Sequence, residues 1–228
     1  MGRCFRPQSK PDSMFTKTLL PDTFRAIQLT GQIPVFQTAY LAGGTSLALQ
    51  IGHRISVDLD FFTQEKFDEN QLENTLKQIP GFEIRTKNWC TILGKIGDTS
   101  ISLFYYAYPL LEKTITFEQL QLAQKSDLSA MKIGAVEDRG TRRDFIDLFY
   151  LAKEYSLDQM LEFFDKKYRL LDDHLYPIIR ALGYFEDAEM ETEMPRMLVD
   201  VSWPKVKDFF QKESLRLAKE KLNIPLKV

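Results

Sequence analysis

The stretch from Ala39 to Phe62 restricts the architecture of this chain more than any other. Ala39-Tyr40-Leu41-Ala42 is an apolar run of strand length, Gly43-Gly44 is a turn without side chains, and in Thr45 to Ile51 the residues Leu47, Ala48 and Ile51 share one helical face. Gly52 closes that helix. After His53-Arg54, apolar Ile55, Val57, Leu59 and Phe61 alternate with Ser56, Asp58 and Asp60. The spacing predicts a strand over 55–62 with both aspartates on one face. Two carboxylates beside a glycine turn that opens a helix suit a hard divalent cation and a phosphate, the cation through oxygen ligands and the phosphate through backbone N–H groups.

Around this block the pattern is α+β. Pro21-Asp22-Thr23 starts a helix that stops between Gly31 and Pro34, and Phe67 to Ile79 is amphipathic with Leu72, Leu76 and Ile79 inward. Pro80-Gly81 precedes three strand-like runs at 82–87, 89–96 and 100–107. From Ser126 the chain turns helical, with helices over 127–138, 141–155, 157–168 and 175–185, an acidic loop over 186–193, and a last amphipathic helix from Trp203 to Leu222. The expected fold is a small mixed β-sheet core at 21–120 with helices packed on one side. A helical C-terminal region at 121–228 completes a cleft.

Composition narrows the function. With 30 basic and 32 acidic residues the net charge is −2, so any nucleic-acid contact needs a local basic patch, and Arg139 to Arg143 is the nearest to the proposed site. The other basic clusters, at 166–169 and 205–221, read equally well as solvated helix faces. Cys4 and Cys90 have no Cys or His beside them, which argues against zinc and for free thiols. The uncharged run Ile101–Leu111 contains Pro109 and falls short of the roughly 20 residues of a membrane helix. The polar, basic segment Met1–Ser13 lacks the apolar run of a secretory signal, so no membrane contact and a cytoplasmic location are expected.

The run from Leu41 to Phe62 resembles the Gly-Gly, then Asp-x-Asp, signature of the polymerase-β-like nucleotidyltransferase superfamily. Its Gly43-Gly44-Thr45, Gly52-His53-Arg54 and Asp58-x-Asp60-Phe61-Phe62 elements are similar to those of the AbiEii/AbiGii toxin family. A second block, Asp127-Leu128-Ser129-Ala130-Met131-Lys132 followed by Arg139-Gly140-Thr141-Arg142-Arg143-Asp144-Phe145-Ile146-Asp147, resembles that family's downstream motif. The resemblance implies a nucleotidyltransferase with Asp58 and Asp60 on Mg²⁺ or Mn²⁺. It places Lys132 on the NTP and Asp144 orienting Lys132 or holding the acceptor; the turn Gly43-Gly44-Thr45 would hold the phosphates, and Arg54, by its position at the mouth, either reaches a phosphate or is a helix-terminal cation. The resemblance further implies a tRNA end as acceptor and a cognate antitoxin as partner. By spacing alone, Asp144 and Asp147 either pair with Arg142, Arg143 or Lys132 to seat two helices together or have a catalytic task; the resemblance gives the task to Asp144 and leaves Asp147 structural. His53 reads as a capping or packing histidine.

One departure stands out. Superfamily enzymes carry a further carboxylate on the strand over 100–106, where this chain has Ser102. Either one metal suffices, or Asp98, Asp127 or Asp144 substitutes, or the chain is a catalytically inactive relative that binds nucleotide or a protein partner. A member acting on a small molecule or a protein side chain is a third reading. Phe104-Tyr105-Tyr106-Ala107-Tyr108 offers either core packing or a stacking surface for a base.

Overall fold

The computed structural model describes residues 14–222; Cys4 and the segment Met1–Ser13 lie outside the described residues. After a 3-10 turn at Thr16–Thr18, α1 (Pro21–Thr30) and the short α2 (Pro34–Thr38) each open on a proline, whose missing N–H is one that a helix start leaves unused. β1 (Tyr40–Ala42) runs directly into α3 (Gly43–Ile51), which Gly52 ends in the left-handed conformation, φ 77°. β2 (Leu59–Thr63) follows, then α4 (Glu69–Leu76), where the Asp68 carboxylate accepts from the N–H groups of Asn70 and Gln71. The strands β3 (Phe82–Asn88), β4 (Thr91–Ile96), β5 (Thr99–Tyr105), β6 (Ile115–Phe117) and β7 (Leu120–Leu122) complete the sheet. Six helices end the described chain: α5 (Lys125–Asp138), α6 (Arg142–Leu151), α7 (Leu157–Tyr168), α8 (Leu171–Leu182), α9 (Glu186–Met190) and α10 (Trp203–Leu222).

The sheet is mixed, in the order β3-β4-β5-β2-β1-β7-β6, with β2/β5 and β1/β7 parallel and the other pairs antiparallel. Alternation along the central strands sorts its two faces. Leu41, Leu59, Phe61, Ile101 and Leu103 pack with Ala26 and Ile27 of α1, Phe36 of α2, and Leu72 and Leu76 of α4 in one core. The residues between them face the other way: Ala42 lies opposite Asp60, and Asp60 opposite Ser102. A second core joins α5, α6, α7, α8 and α10 to Tyr40, Ala42 and Leu47. The acid-bearing sheet face and the start of the helical layer therefore meet across open space.

Two expectations change, and two strands were not expected. Ordered pairing on the aspartate strand begins at Leu59, not Ile55, because its β1 partner ends opposite Asp60, where the chain turns into α3. Asp58 thus precedes the strand, and Val57 is only half-buried. The acidic stretch over 186–193 is not a free loop but begins as α9, anchored by buried Ala188, whose carbonyl accepts from Arg142 Nε at 3.2 Å. The three-residue strands β6 and β7 had no alternation long enough to be read from sequence, yet β7 runs parallel to β1 and flanks the glycine turn. Cys90 is buried and unpaired. Among the described residues no helix is long and apolar enough to cross a membrane.

Candidate active site

Two clefts of about 430 and 410 Å³ open on either side of Asp60 and share Gly44, Asp60, Phe104, Lys132 and Arg139 as walls. The first is polar and adds Arg54, Ser56, Asp58, Arg85, Ser102, Thr141, Arg143 and Asp144. The second is aromatic, with Phe62, Tyr106 and Tyr168 below Leu128 and Met131 of α5. Phe104 and Tyr106 of the aromatic run thus line a cleft instead of being spent wholly on the core, while Tyr105 packs edge-on to the exposed Trp89.

The glycine turn is shaped first by protein atoms. Gly43 has φ +64°, and a Cβ there would lie 2.5 Å from Asp60 Oδ2. A Cβ on Gly44 would collide with Arg54 Nη2 and stand 3.2 Å from Ser56 Oγ. Thr45 is fully buried; its hydroxyl bonds Ser56 Oγ (2.8 Å) and the Asp58 carbonyl, and lines neither cleft. Of the expected phosphate turn, Gly43 and Gly44 border the clefts, whereas the Thr45 side chain braces the loop that carries Asp58.

Behind the turn lies a buried charge network. Asp147, fully buried, accepts from His53 Nε2 (2.8 Å), Arg54 Nε (2.7 Å) and Nη2 (2.9 Å), and pairs with Lys132 Nζ at 2.7 Å. Burial alone would push its carboxyl up, but Arg54, Lys132 and His53 together hold it well below the usual carboxylate range. Asp144 accepts from Lys132 Nζ (2.8 Å), Arg139 Nε (2.9 Å) and the Thr141 hydroxyl (2.6 Å), and it too is lowered against the cost of its burial. Since a carboxylate only accepts, the His53 proton sits on Nε2, and burial lowers the ring's pKa and keeps it neutral. Three cations, Arg54, Lys132 and Arg139, thus surround two carboxylates and leave one positive charge in excess. Of the partners open from spacing, Lys132 takes both aspartates, while Arg142 lies over the Trp203 ring and Arg143 approaches Asp58 at 3.8 Å.

The metal-ligating expectation rests on Asp58 and Asp60. Asp60 Oδ1 accepts the Ser102 hydroxyl proton at 2.6 Å, and Asp58, with a side chain 43 % exposed, faces the polar cleft. Two oxygen donors beside an open cleft fit one hard dication that completes its shell with water and phosphate. None of the three suggested substitutes for a third acid is available. Asp127 is buried on Lys167 Nζ (2.8 Å) and the Leu111 N–H, Asp98 lies exposed in the β4–β5 turn away from both clefts, and Asp144 is occupied as described. Among the described residues, no group of three or more His, Cys, Asp or Glu could hold a metal ion.

The sequence names Arg139 and Thr141 within the downstream motif, and Arg139 also in a basic patch, but gives neither a role at the site, and nothing in it singles out Arg85. The overlooked signal was local: Arg139 is the last residue before Gly140 (φ +48°), and Thr141 is the N-cap of α6, so helix end and helix start converge on Asp144.

Comparisons with known proteins bear on the fold and the family. Residues 29–122 match the family described as nucleotidyl transferase AbiEii toxin of a type IV toxin–antitoxin system. An uncharacterised protein of Aquifex aeolicus is 30 % identical over 194 residues, spanning 82 % of this chain and 92 % of its own. The nucleotidyltransferase toxin MenT4 of Mycobacterium tuberculosis shares the fold, with a TM-score of 0.53 at 16 % identity over 88 % of this chain and 84 % of that one. With the glycine turn, the Asp58/Asp60 pair and the Lys132–Asp144 contact gathered at one cleft, the chain belongs to the AbiEii nucleotidyltransferase toxin family.

Proposed function

We propose that the chain transfers a nucleoside monophosphate from an NTP to a hydroxyl acceptor, with a tRNA end as the candidate acceptor. It does so as the toxin half of a toxin–antitoxin pair, partnered by a cognate antitoxin. The observation that carries this reading is the placement of Asp58 and Asp60 at a cleft bordered by Gly44, Arg54, Lys132 and Arg139, with Gly43 on the adjoining cleft. Asp58 and Asp60 are the residues that would hold Mg²⁺ or Mn²⁺, which when bound supplies positive charge to the phosphate oxygens.

The rest falls to the chain's own groups. Backbone N–H groups at the start of α3 favour an anion, and Lys132 keeps one ammonium proton beyond those given to Asp144 and Asp147. Arg54, locked on Asp147 over Gly44, adds fixed positive charge that needs no rearrangement as negative charge develops. In the reaction the acceptor oxygen bonds to the α-phosphorus and the α–β bridging bond breaks. Its electron pair departs on pyrophosphate, and the acceptor proton passes to water in the polar cleft.

A second reading, favoured by Ser102 in place of a third acid, keeps nucleotide binding without turnover. One assay separates the two: purified protein with each α-labelled NTP, Mg²⁺ and total RNA, reading label transfer and pyrophosphate, beside the Asp58→Asn/Asp60→Asn double variant. Transfer that disappears in the variant supports the enzyme. Nucleotide binding with neither transfer nor pyrophosphate supports the binding-only relative.

A further inference from the structure

Arg139 and Lys132 are the two cations that line both clefts, and their surroundings differ. Lys132 is buried and spends two of its three protons on Asp144 (2.8 Å) and Asp147 (2.7 Å). Arg54, equally buried, gives Nε and Nη2 to Asp147 and Nη1 to the Ile55 carbonyl. Arg139 instead uses one edge of its guanidinium, with Nε on Asp144 Oδ2 (2.9 Å) and Nη2 on Oδ1 (3.1 Å). Three of its five donors stay free on a side chain that is 60 % exposed. Its anchor is firm, because Asp144 is itself buried and fixed by Thr141 and Lys132. Arg143 is also half exposed, but it approaches only Asp58, at 3.8 Å, and lines only the polar cleft.

We propose that Arg139 grips the phosphate chain of the donor nucleotide where it crosses between the aromatic and polar clefts, with Asp144 as its positioning residue. This rests on the nucleotidyl-transfer reading and assigns a role within it. An arginine held along one edge presents its other edge as a ready fork for two phosphate oxygens, so it loses little side-chain freedom on binding. It remains protonated throughout and neither gives nor takes a proton. The free side of Arg139 also explains why three residues donate to Asp144: it supports a cation on the cleft wall as well as neutralising Lys132.

The test measures binding of inorganic tripolyphosphate, with Mg²⁺, alongside NMP transfer from NTP. The proteins are the wild type, Arg139→Ala, Arg139→Lys, Arg143→Ala, Asp144→Asn and the Arg139→Ala/Asp144→Asn double variant. Loss of a two-point charged contact weakens tripolyphosphate binding by about tenfold or more in Arg139→Ala, with Arg139→Lys between it and the wild type. Arg143→Ala, at a cation that lines only the polar cleft, weakens binding less than Arg139→Ala on the same scale. Asp144→Asn weakens binding less in the Arg139→Ala background than in the wild type, a non-additivity that a purely structural Asp144 would not give. Should Asp144→Asn fail to fold, Thr141→Val removes one of the donors that fix Asp144 and replaces it in the same cycle. Arg139→Ala binding within twofold of the wild type, equal losses in Arg143→Ala, or a wild type that binds no tripolyphosphate each overturn the assignment. Wild-type binding that depends on Arg139 without pyrophosphate release leaves the assignment standing and removes the transferase reading. Normal transfer with unchanged KM in Arg139→Ala does the reverse.

Discussion

A methyl group on Gly44 would strike Arg54 Nη2, a guanidinium that cannot swing aside without leaving Asp147. Gly44→Ala is therefore expected to lower stability by about 2 kcal/mol or more, read by urea denaturation, since it opens a buried hydrogen-bonded ion pair. An unchanged midpoint would show that Arg54 has room to spare. The glycines, legible from sequence as a phosphate turn, are thus fixed first by neighbouring side chains, something that spacing does not carry because Arg54 and Asp60 come close only after folding. The same network sets the pH response. His53 has its folded pKa lowered from 6.5, so its contribution is present above that pH and is lost as pH falls below it. Asp144 and Asp147, lowered from 3.8, hold theirs until far more acidic conditions. Unfolding free energy should therefore fall as pH drops from 7 toward 5, by up to about 1.4 kcal/mol per unit, and His53→Gln should flatten that slope. An identical slope in the variant would place the titration elsewhere. Asp58→Asn and Asp60→Asn, at groups that border open clefts, should each abolish metal-dependent transfer while leaving the thermal melt within a few degrees of the wild type. Retained transfer would remove the metal assignment.

At the scale of elements, the loop between α3 and β2 is held by chain segments from both ends of the protein. The Ser56 N–H donates to the Thr18 carbonyl (3.1 Å) and the Ile55 N–H to that of Arg196 (2.8 Å). The His53 carbonyl accepts from the N–H groups of Leu198 (2.9 Å) and Val199 (3.1 Å), and the Tyr150 hydroxyl donates to the Val199 carbonyl at 3.0 Å. Residues 196–199 thus form a strap over the loop that presents Arg54. Leu198→Pro removes one of those donors and is expected to speed amide exchange at residues 53–56 while α4 and β3 keep their protection, as followed by hydrogen exchange and mass spectrometry. Exchange that is unchanged at 53–56 would mean the loop is held by Thr18 and Asp147 alone. None of this could be read from sequence, because the strap has no periodicity and pairs over a distance of more than 140 residues. Elements with a long period or a capping residue were legible: α7 over Leu157–Tyr168 and α10 over Trp203–Leu222 fall where hydrophobic spacing put them. The three-residue β6 and β7 were not, since so short a strand is defined by its neighbour.

For the molecule as a whole, the decisive element is α3, because it contributes Leu47 to the helical core and Leu49 to the sheet core. Each core buries its own apolar surface, while the space between them is the pair of clefts, lined largely by charged and aromatic groups that pack less closely than a core. The halves are coupled through β1 and α3, through Phe62 and Tyr106 packed against the helical core, and through the Asp147 network, so cooperativity should pass through these contacts, with residues 40–51 at their centre. A cavity at either leucine then tests whether the halves unfold together. Leu47→Ala and Leu49→Ala should each cost about 2–5 kcal/mol. Either one should move both halves equally: the Trp203 fluorescence transition, read in a Trp89→Phe background, and the amide exchange of β5 should shift by the same amount in denaturant. If Leu47→Ala moved the Trp203 transition and left β5 exchange where it was, the halves would be separate folding units joined by a hinge. The clefts would then open and close as the halves moved, and saturating nucleotide, by binding across them, would draw the two transitions back together by mass action.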